Sequence, residues 1–243
     1  MRMGNYTICV ESVLVFEAVR FILLFGLFLL VQILLTSFVS LRSGTGYLIF
    51  TGLYWVVLVL LGAFINMMLS GLALICLKIS GGLPIAIGDL LQGYQTEPER
   101  TFKISLGISI PQSLAILPFQ LLLEYWLEVQ SKALIPVLIL SGLLGVALAI
   151  FFSLSLSMGF FLMHDFPNLS AGETLRETWK RMKGHKTRLL ILELSFVPLM
   201  VLCMLSFGVG YLWVYPLMEE SIALFYLDMM NPQPVSDHWE RTV

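Results

Sequence analysis

Long apolar runs separated by short polar clusters organise this chain. About 20 apolar residues cross a hydrocarbon core as a helix, and open strands or loops are excluded there because each unpaired backbone group costs several kcal/mol. Six runs reach that length: 19–39, 47–77, 104–126, 134–163, 188–206 and 211–228. The second and fourth are long enough to tilt or protrude. Gly208 and Gly210 mark a turn between the last two, after which the chain returns as a sixth helix. The pattern predicts an all-α bundle crossing the membrane as one domain.

Between the fourth and fifth runs the period changes. Ser170 and Glu173 form a capping box, Leu175, Thr178, Trp179 and Met182 recur at helical spacing, and Gly184 stands where a C-terminal cap belongs. This predicts an amphipathic helix over 171–183 lying in the inner membrane interface. Its polar face carries Arg176, Lys180, Arg181 and Lys183, each gaining about 1 kcal/mol from anionic lipid. The loop 79–101 is glycine-rich, but Pro84, Ile85, Ala86, Ile87, Leu90 and Leu91 make it an interfacial hairpin resting on the membrane.

The helix faces predict packing. Ser141, Gly145, Ala149, Ser153 and Ser157 form a ridge of small residues at i+4 spacing on the fourth run, and Gly62, Asn66 and Ser70 form a similar stripe on the second. These two runs are expected to pair, with Asn66 making an interhelical hydrogen bond. Pro111 and Pro118 in the third run and Pro216 in the sixth are expected to interrupt those helices.

Composition adds to this picture. Of 243 residues 58% are hydrophobic and 12% charged, with a mean hydropathy of +0.90, which excludes a soluble globule. A net charge of -2 offers no field to recruit nucleic acid. Orientation follows from the Lys and Arg positions, which are in excess in cytoplasmic loops. With the N-terminus inside, Arg2, Arg20, Lys78, Arg100, Lys103, Arg176, Lys180, Arg181, Lys183, Lys186, Arg188 and Arg241 are cytoplasmic, and Arg42 and Lys132 are outside. Both termini are therefore expected to be cytoplasmic. Glu11 and Glu17 precede the first run and no small-residue cleavage site follows it, so it reads as an uncleaved helix, with Glu17 and Arg20 pairing at the inner surface. Cys9, Cys76 and Cys203 suggest neither a disulfide framework nor a metal cluster, and no cofactor is expected.

Charge at membrane depth is the sharpest chemical signal, because an ionised carboxylate there costs several kcal/mol unless paired or hydrated. Glu193 is close enough to the inner interface to pair with the basic loop. Glu219 and Glu220 fall near the middle of the sixth run, either facing a polar cavity or held in the headgroups by a tilted helix. With Gln112 and Gln120 of the third run they form the candidate polar site.

No hydrolase motif is complete. There is no HExxH helix; Ser155-Leu156-Ser157-Met158-Gly159 lacks the first glycine of GxSxG; Glu219-Glu220 is followed by Leu224 where a prenyl-type protease carries arginine; and Ala86-Ile87-Gly88-Asp89 lacks the first glycine of GxGD. His164, Asp165 and His185 flank one loop, where capping outweighs metal binding. An enzyme is not expected.

One pattern is more specific. Asp165-Phe166-Pro167, Met182-Lys183-Gly184-His185-Lys186, Leu194-Ser195-Phe196, Gly208-Val209-Gly210 and Pro216 with Ala223, Phe225 and Tyr226 resemble the uncharacterised six-helix membrane proteins of Gram-positive bacteria grouped as domain of unknown function family 975. Gly4-Asn5-Tyr6 and Gly88-Asp89-Leu90-Leu91-Gln92-Gly93-Tyr94 extend the likeness over nearly the whole chain. Leu217 stands where that family has tyrosine, and Pro198 where it has Gly-Trp. The resemblance implies a multi-pass protein of a bacterial cytoplasmic membrane and supplies no reaction. Physically the shared residues read as caps and belts: Asp165 capping the break at Pro167, and Phe225 and Tyr226 at the inner aromatic belt.

Short outer loops, the basic inner loop and the small-residue ridges favour a non-enzymatic subunit, scaffold or modulator of a membrane complex, or a part in envelope homeostasis. Its partners would be anionic inner-leaflet lipid and other membrane proteins. The alternative is a small transporter or lipid-handling protein with its site at the third and sixth helices.

Overall fold

The structure, a computed structural model, describes residues 3–37, 45–205 and 210–230, all in helices or the turns that join them. In chain order the helices are α1 (Met3–Ser37), α2 (Thr45–Ser80), α3 (Gln92–Gln95), α4 (Pro98–Val129), α5 (Ile135–Leu156), α6 (Gly159–Asp165), α7 (Ala171–Arg181), α8 (Lys186–Leu205) and α9 (Tyr211–Met230). Among the described residues, four segments are long and apolar enough to span a membrane: 52–80, 98–127, 132–165 and 186–205. Four of the six expected spans are met in this way among the described residues. Helix α9 carries Glu219, Glu220 and Asp228 within its 20 residues, and α1 begins sixteen residues before the expected start at residue 19. Arg2, Arg42, Gly208 and Arg241, used in the sequence reading, lie outside the described residues.

Local chemistry explains the element ends. Pro98 opens α4, where its missing N–H costs nothing. Ser170 accepts from the Glu173 N–H at 3.3 Å while Glu173 accepts from the Ser170 N–H at 2.8 Å, so the capping box forms as expected. Gly184 has φ +90°, a left-handed conformation that suits glycine at the end of this turn. Helices α4 and α9 run unbroken through Pro111, Pro118 and Pro216, so the expected interruptions are absent; neighbouring helices tolerate a lost backbone hydrogen bond here.

Packing departs from the expected pairing. The small-residue ridge of α5 lies against α4: a Cβ on Gly145 would stand 2.9 Å from the Ala115 carbonyl oxygen, and one on Gly142 3.1 Å from the Phe119 ring. Helix α4 therefore lies between α2 and α5, and α2 meets the end of that span chiefly at α6. Among the described residues Gly62 has no neighbour within 4 Å of a Cβ. Asn66 does bond between helices, donating to the Ser109 hydroxyl of α4 at 3.2 Å.

The loop after α2 is only partly a surface segment: Pro84, Ala86, Ile87 and Leu91 are exposed, while Ile85 and Leu90 turn inward. It folds back along α2, burying Ile85 and Leu90 with Val13 and Phe16 of α1, Met68, Leu72 and Ile75 of α2, and Tyr215 of α9. Lys78 clamps it through Asp89 at 2.7 Å, and Asp89 also accepts from the Ala86 N–H at 3.0 Å. Burial works to raise the Asp89 carboxyl, but the hydrogen bonds of Lys78 and Ala86 and the Lys78 charge outweigh it and hold it below the usual carboxylate range. A lowered carboxyl contributes stability above its unfolded value that is lost as pH falls through the folded one. Hydrogen exchange over 86–91, corrected for intrinsic rate, is therefore expected to stay slow from pH 7 down to about 4 and to accelerate below. Asp89→Asn is expected to show the fast rate at pH 7 already; equal rates in variant and wild type would remove this clamp.

Helix α7 also docks on protein. Thr174, Thr178 and the following Met182 are fully buried against the ends of α4, α5 and α6. Leu175 enters a notch at Gly107, where a Cβ would lie 2.3 Å from its side chain. Trp179 packs on Phe151 and Phe152. The face expected to rest in lipid is covered by the bundle, while Arg176, Lys180 and Lys183 stay exposed.

Candidate functional site

A charged end of the bundle is held by a clasp that the sequence reading missed. Arg100, near the start of α4, has a mostly buried side chain whose guanidinium donates to the carbonyls of Phe166 and Pro167, both at 2.8 Å. It also donates to Glu97 at 2.7 Å and reaches the Met163 carbonyl and Thr174 hydroxyl at 3.5 Å. It thus adds a donor to the carbonyls where α6 ends, of which that of Phe166 also accepts from the Leu169 N–H at 3.2 Å. Asp165, expected to cap that break, instead accepts from the Tyr226 hydroxyl at 2.5 Å and joins α6 to α9. Tyr226 is fully buried and stacks on Phe161, and Phe225 is buried too, so neither belongs to an aromatic belt. His164 Nε2 lies 2.8 Å from the Ser70 carbonyl oxygen and 3.1 Å from its hydroxyl. His164 and Asp165 thus turn to different helices. Arg188, in the first turn of α8, pairs with Asp228 of α9 at 2.6 Å, and among the described residues Glu193 has no ion pair with the basic loop.

Above this end, a half-open cavity of about 470 Å³ lies between the helices, with Arg20 and Ser153 exposed at it. Its polar lining comes from five helices: Arg20 of α1, Asn66 of α2, Gln112 of α4, Ser153 of α5 with Ser157 just beyond it, and Glu219 of α9. Leu69, Ala73, Ile108, Phe160, Phe161 and Ile222 complete the wall. At 1.5 Å per residue, Gln112 stands about 18 Å along α4 from Arg100. Ser153 and Ser157 stand about 18 and 12 Å from Asp165, and Glu219 about 13 Å from Asp228. These polar groups therefore meet at one depth, roughly half of a 30 Å hydrocarbon core away from the charged end.

Of the four expected site residues, Glu219 and Gln112 line the cavity, while Glu220 and Gln120 do not. Glu219 thereby takes the cavity-facing orientation of the two weighed for it. Tyr215, one turn earlier, hydrogen-bonds its carboxylate, and Glu17 and Glu193 lie close enough for their charges to act on it. Arg20 pairs with Glu17 at 3.2 Å as expected, but it does so at the cavity. Asn66, Ser153 and Ser157, read only as packing residues, are part of the lining. Signals for them were present, since all three are polar at bilayer depth, but small polar residues also mediate helix packing.

A family described as "Protein of unknown function (DUF975)" matches residues 12–232. No curated protein and no solved structure matches the chain.

Proposed function

The chain belongs to the DUF975 family, whose description assigns no activity, and we propose that it is a multi-pass protein of a bacterial cytoplasmic membrane that binds a small polar or amphipathic ligand inside its helix bundle and moves it across or along the bilayer. The observation that carries this reading is the cavity lined by Arg20, Asn66, Gln112, Ser153, Ser157 and Glu219. Polar and ionisable groups are expensive at bilayer depth and collect where they face a pathway or a bound solute. A bundle that served only as scaffold has no need to gather such groups from five helices around open space. The reading assigns no catalytic group.

Protein reconstituted in liposomes is expected to move a headgroup-labelled phospholipid or a labelled small solute. Ser153→Trp, which fills the cavity from α5, is expected to stop it while leaving a monodisperse elution profile. If folded wild-type protein moves nothing and retains no molecule on extraction into lipid discs, the reading returns to a subunit or scaffold.

Orientation belongs to the same proposal. With the basic end facing the cytoplasm, Lys183→Cys is expected to react with an impermeant maleimide only in inside-out vesicles, and Lys132→Cys only on intact cells. The reverse pattern would invert the bundle.

A further inference from the structure

Resting on the reading of the cavity as a ligand site, we propose that its ligand is an organic cation, an ammonium group carried on a small apolar or aromatic body. The argument starts from charge balance. Among the described residues, the cavity and its immediate surroundings hold the carboxylates of Glu17, Glu193 and Glu219 and one guanidinium, Arg20. Glu17 already takes that guanidinium at 3.2 Å. Helices α2, α4 and α5 bring only amides and hydroxyls, from Asn66, Gln112, Ser153 and Ser157. Glu219 therefore faces the cavity with the Tyr215 hydroxyl as its partner and with like charges behind it.

A carboxylate at this depth is stable when a positive charge balances it, and the group that completes this site is a cation. An anion would meet two uncompensated carboxylates and is rejected by the same field. Size and lining separate an organic cation from a bare metal ion. A cavity of about 470 Å³ is larger than a metal ion requires, and among the described residues no three His, Cys, Asp or Glu side chains converge to ligate one. The apolar part of the wall holds Phe160 and Phe161 with Ile108 and Ile222. Aromatic faces attract ammonium groups, and the aliphatic side chains suit the rest of such a molecule.

The test uses full-length protein in lipid discs and radiolabelled phenyltrimethylammonium, with protein-free discs as background. Binding is expected to saturate at one per chain and to be insensitive to excess benzenesulfonate, the anionic counterpart. Glu219→Gln is expected to weaken it about ten-fold or more, Glu219→Asp to retain it, and Gln120→Ala, outside the cavity, to leave it unchanged. Should Glu219→Gln fail to fold, Glu193→Gln removes a neighbouring negative charge without touching the lining and is expected to weaken binding about three-fold. Absence of saturable binding, or equal affinity in folded charge-removing variants, overturns the proposal. If benzenesulfonate or a phospholipid saturates the protein instead and Ser153→Trp abolishes that binding, the cation assignment falls and the cavity reading stands. If no molecule is held, both fall.

Discussion

Arg100→Ala is expected to lower the stability of the protein by about 3 kcal/mol, the size that follows when a largely buried charged donor is withdrawn from several acceptors at once. The side chain ties three elements that are distant in sequence: Glu97 at the start of α4, the carbonyls of Met163, Phe166 and Pro167 at the end of α6, and Thr174 in α7. Removing it withdraws the donor those carbonyls share, leaving Phe166 only the Leu169 N–H. Arg100→Lys separates geometry from charge. An ammonium keeps the positive charge but cannot spread planar donors over two carbonyls and a carboxylate, so lysine is expected to recover less than half of the loss. Thermal unfolding in detergent, followed by tryptophan fluorescence, measures all three proteins. Alanine within a few tenths of a kcal/mol of wild type would show that α6 is held by its packing alone.

This clasp also shows what the sequence made legible. The α7 start was readable to the residue because a capping box is local chemistry: Ser170 and Glu173 satisfy each other's backbone within one turn. Gly184 was readable for the same reason. Apart from Glu97, the partners of Arg100 lie more than sixty residues away, and nothing at Arg100 marks it as different from Lys103 one turn later, which stays exposed on Glu99. In the loop 81–97 the division between buried Ile85 and Leu90 and exposed Ile87 and Leu91 was hidden on similar grounds. Its apolar residues are as consistent with lipid as with the sides of α1 and α2, and apolar composition does not say which surface covers it.

The cavity was half legible. Glu219 and Gln112 stood out because charge and amide groups at bilayer depth need a reason. Glu220 and Gln120 stood out equally and lie elsewhere, because α9 and α4 are apolar on every side and their sequences do not reveal which face meets the bundle. Arg20 gave no signal of a cavity, because its pairing with Glu17 is local and the helices that complete the lining are distant in sequence. The helix starts at Met3, and Val13 and Phe16 are already buried against α2 and α9, which carries Arg20 inward to the cavity.

The same uncertainty about helix faces makes Gly71 the most informative glycine in α2. A Cβ added there would stand 2.0 Å from the Leu90 carbonyl oxygen, 2.4 Å from its carbon and 2.6 Å from its Cα, all of them backbone atoms with no flexible end to move aside. Across the contact, Gly93 presents the matching absence: its Cβ would meet the Met67 carbonyl oxygen at 2.6 Å. Two glycines thus let the loop backbone lie directly on α2, where Leu90 is buried and Asp89 reaches Lys78. Gly71→Ala is expected to push residues 87–95 off the helix and to cost about 3 kcal/mol, the upper part of the range for overpacking, because the obstructing atoms are main chain. Gly62→Ala, nine residues earlier in the same helix, is the control. Nothing lies within 4 Å of its Cβ, so the better helix former is expected to be neutral or slightly stabilising. A cysteine at Leu90 reports the loop directly: protected from maleimide in the wild-type background, it is expected to react freely beside Gly71→Ala and to stay protected beside Gly62→Ala. Equal protection in both backgrounds would mean that the loop does not rest on α2 through this pair of glycines.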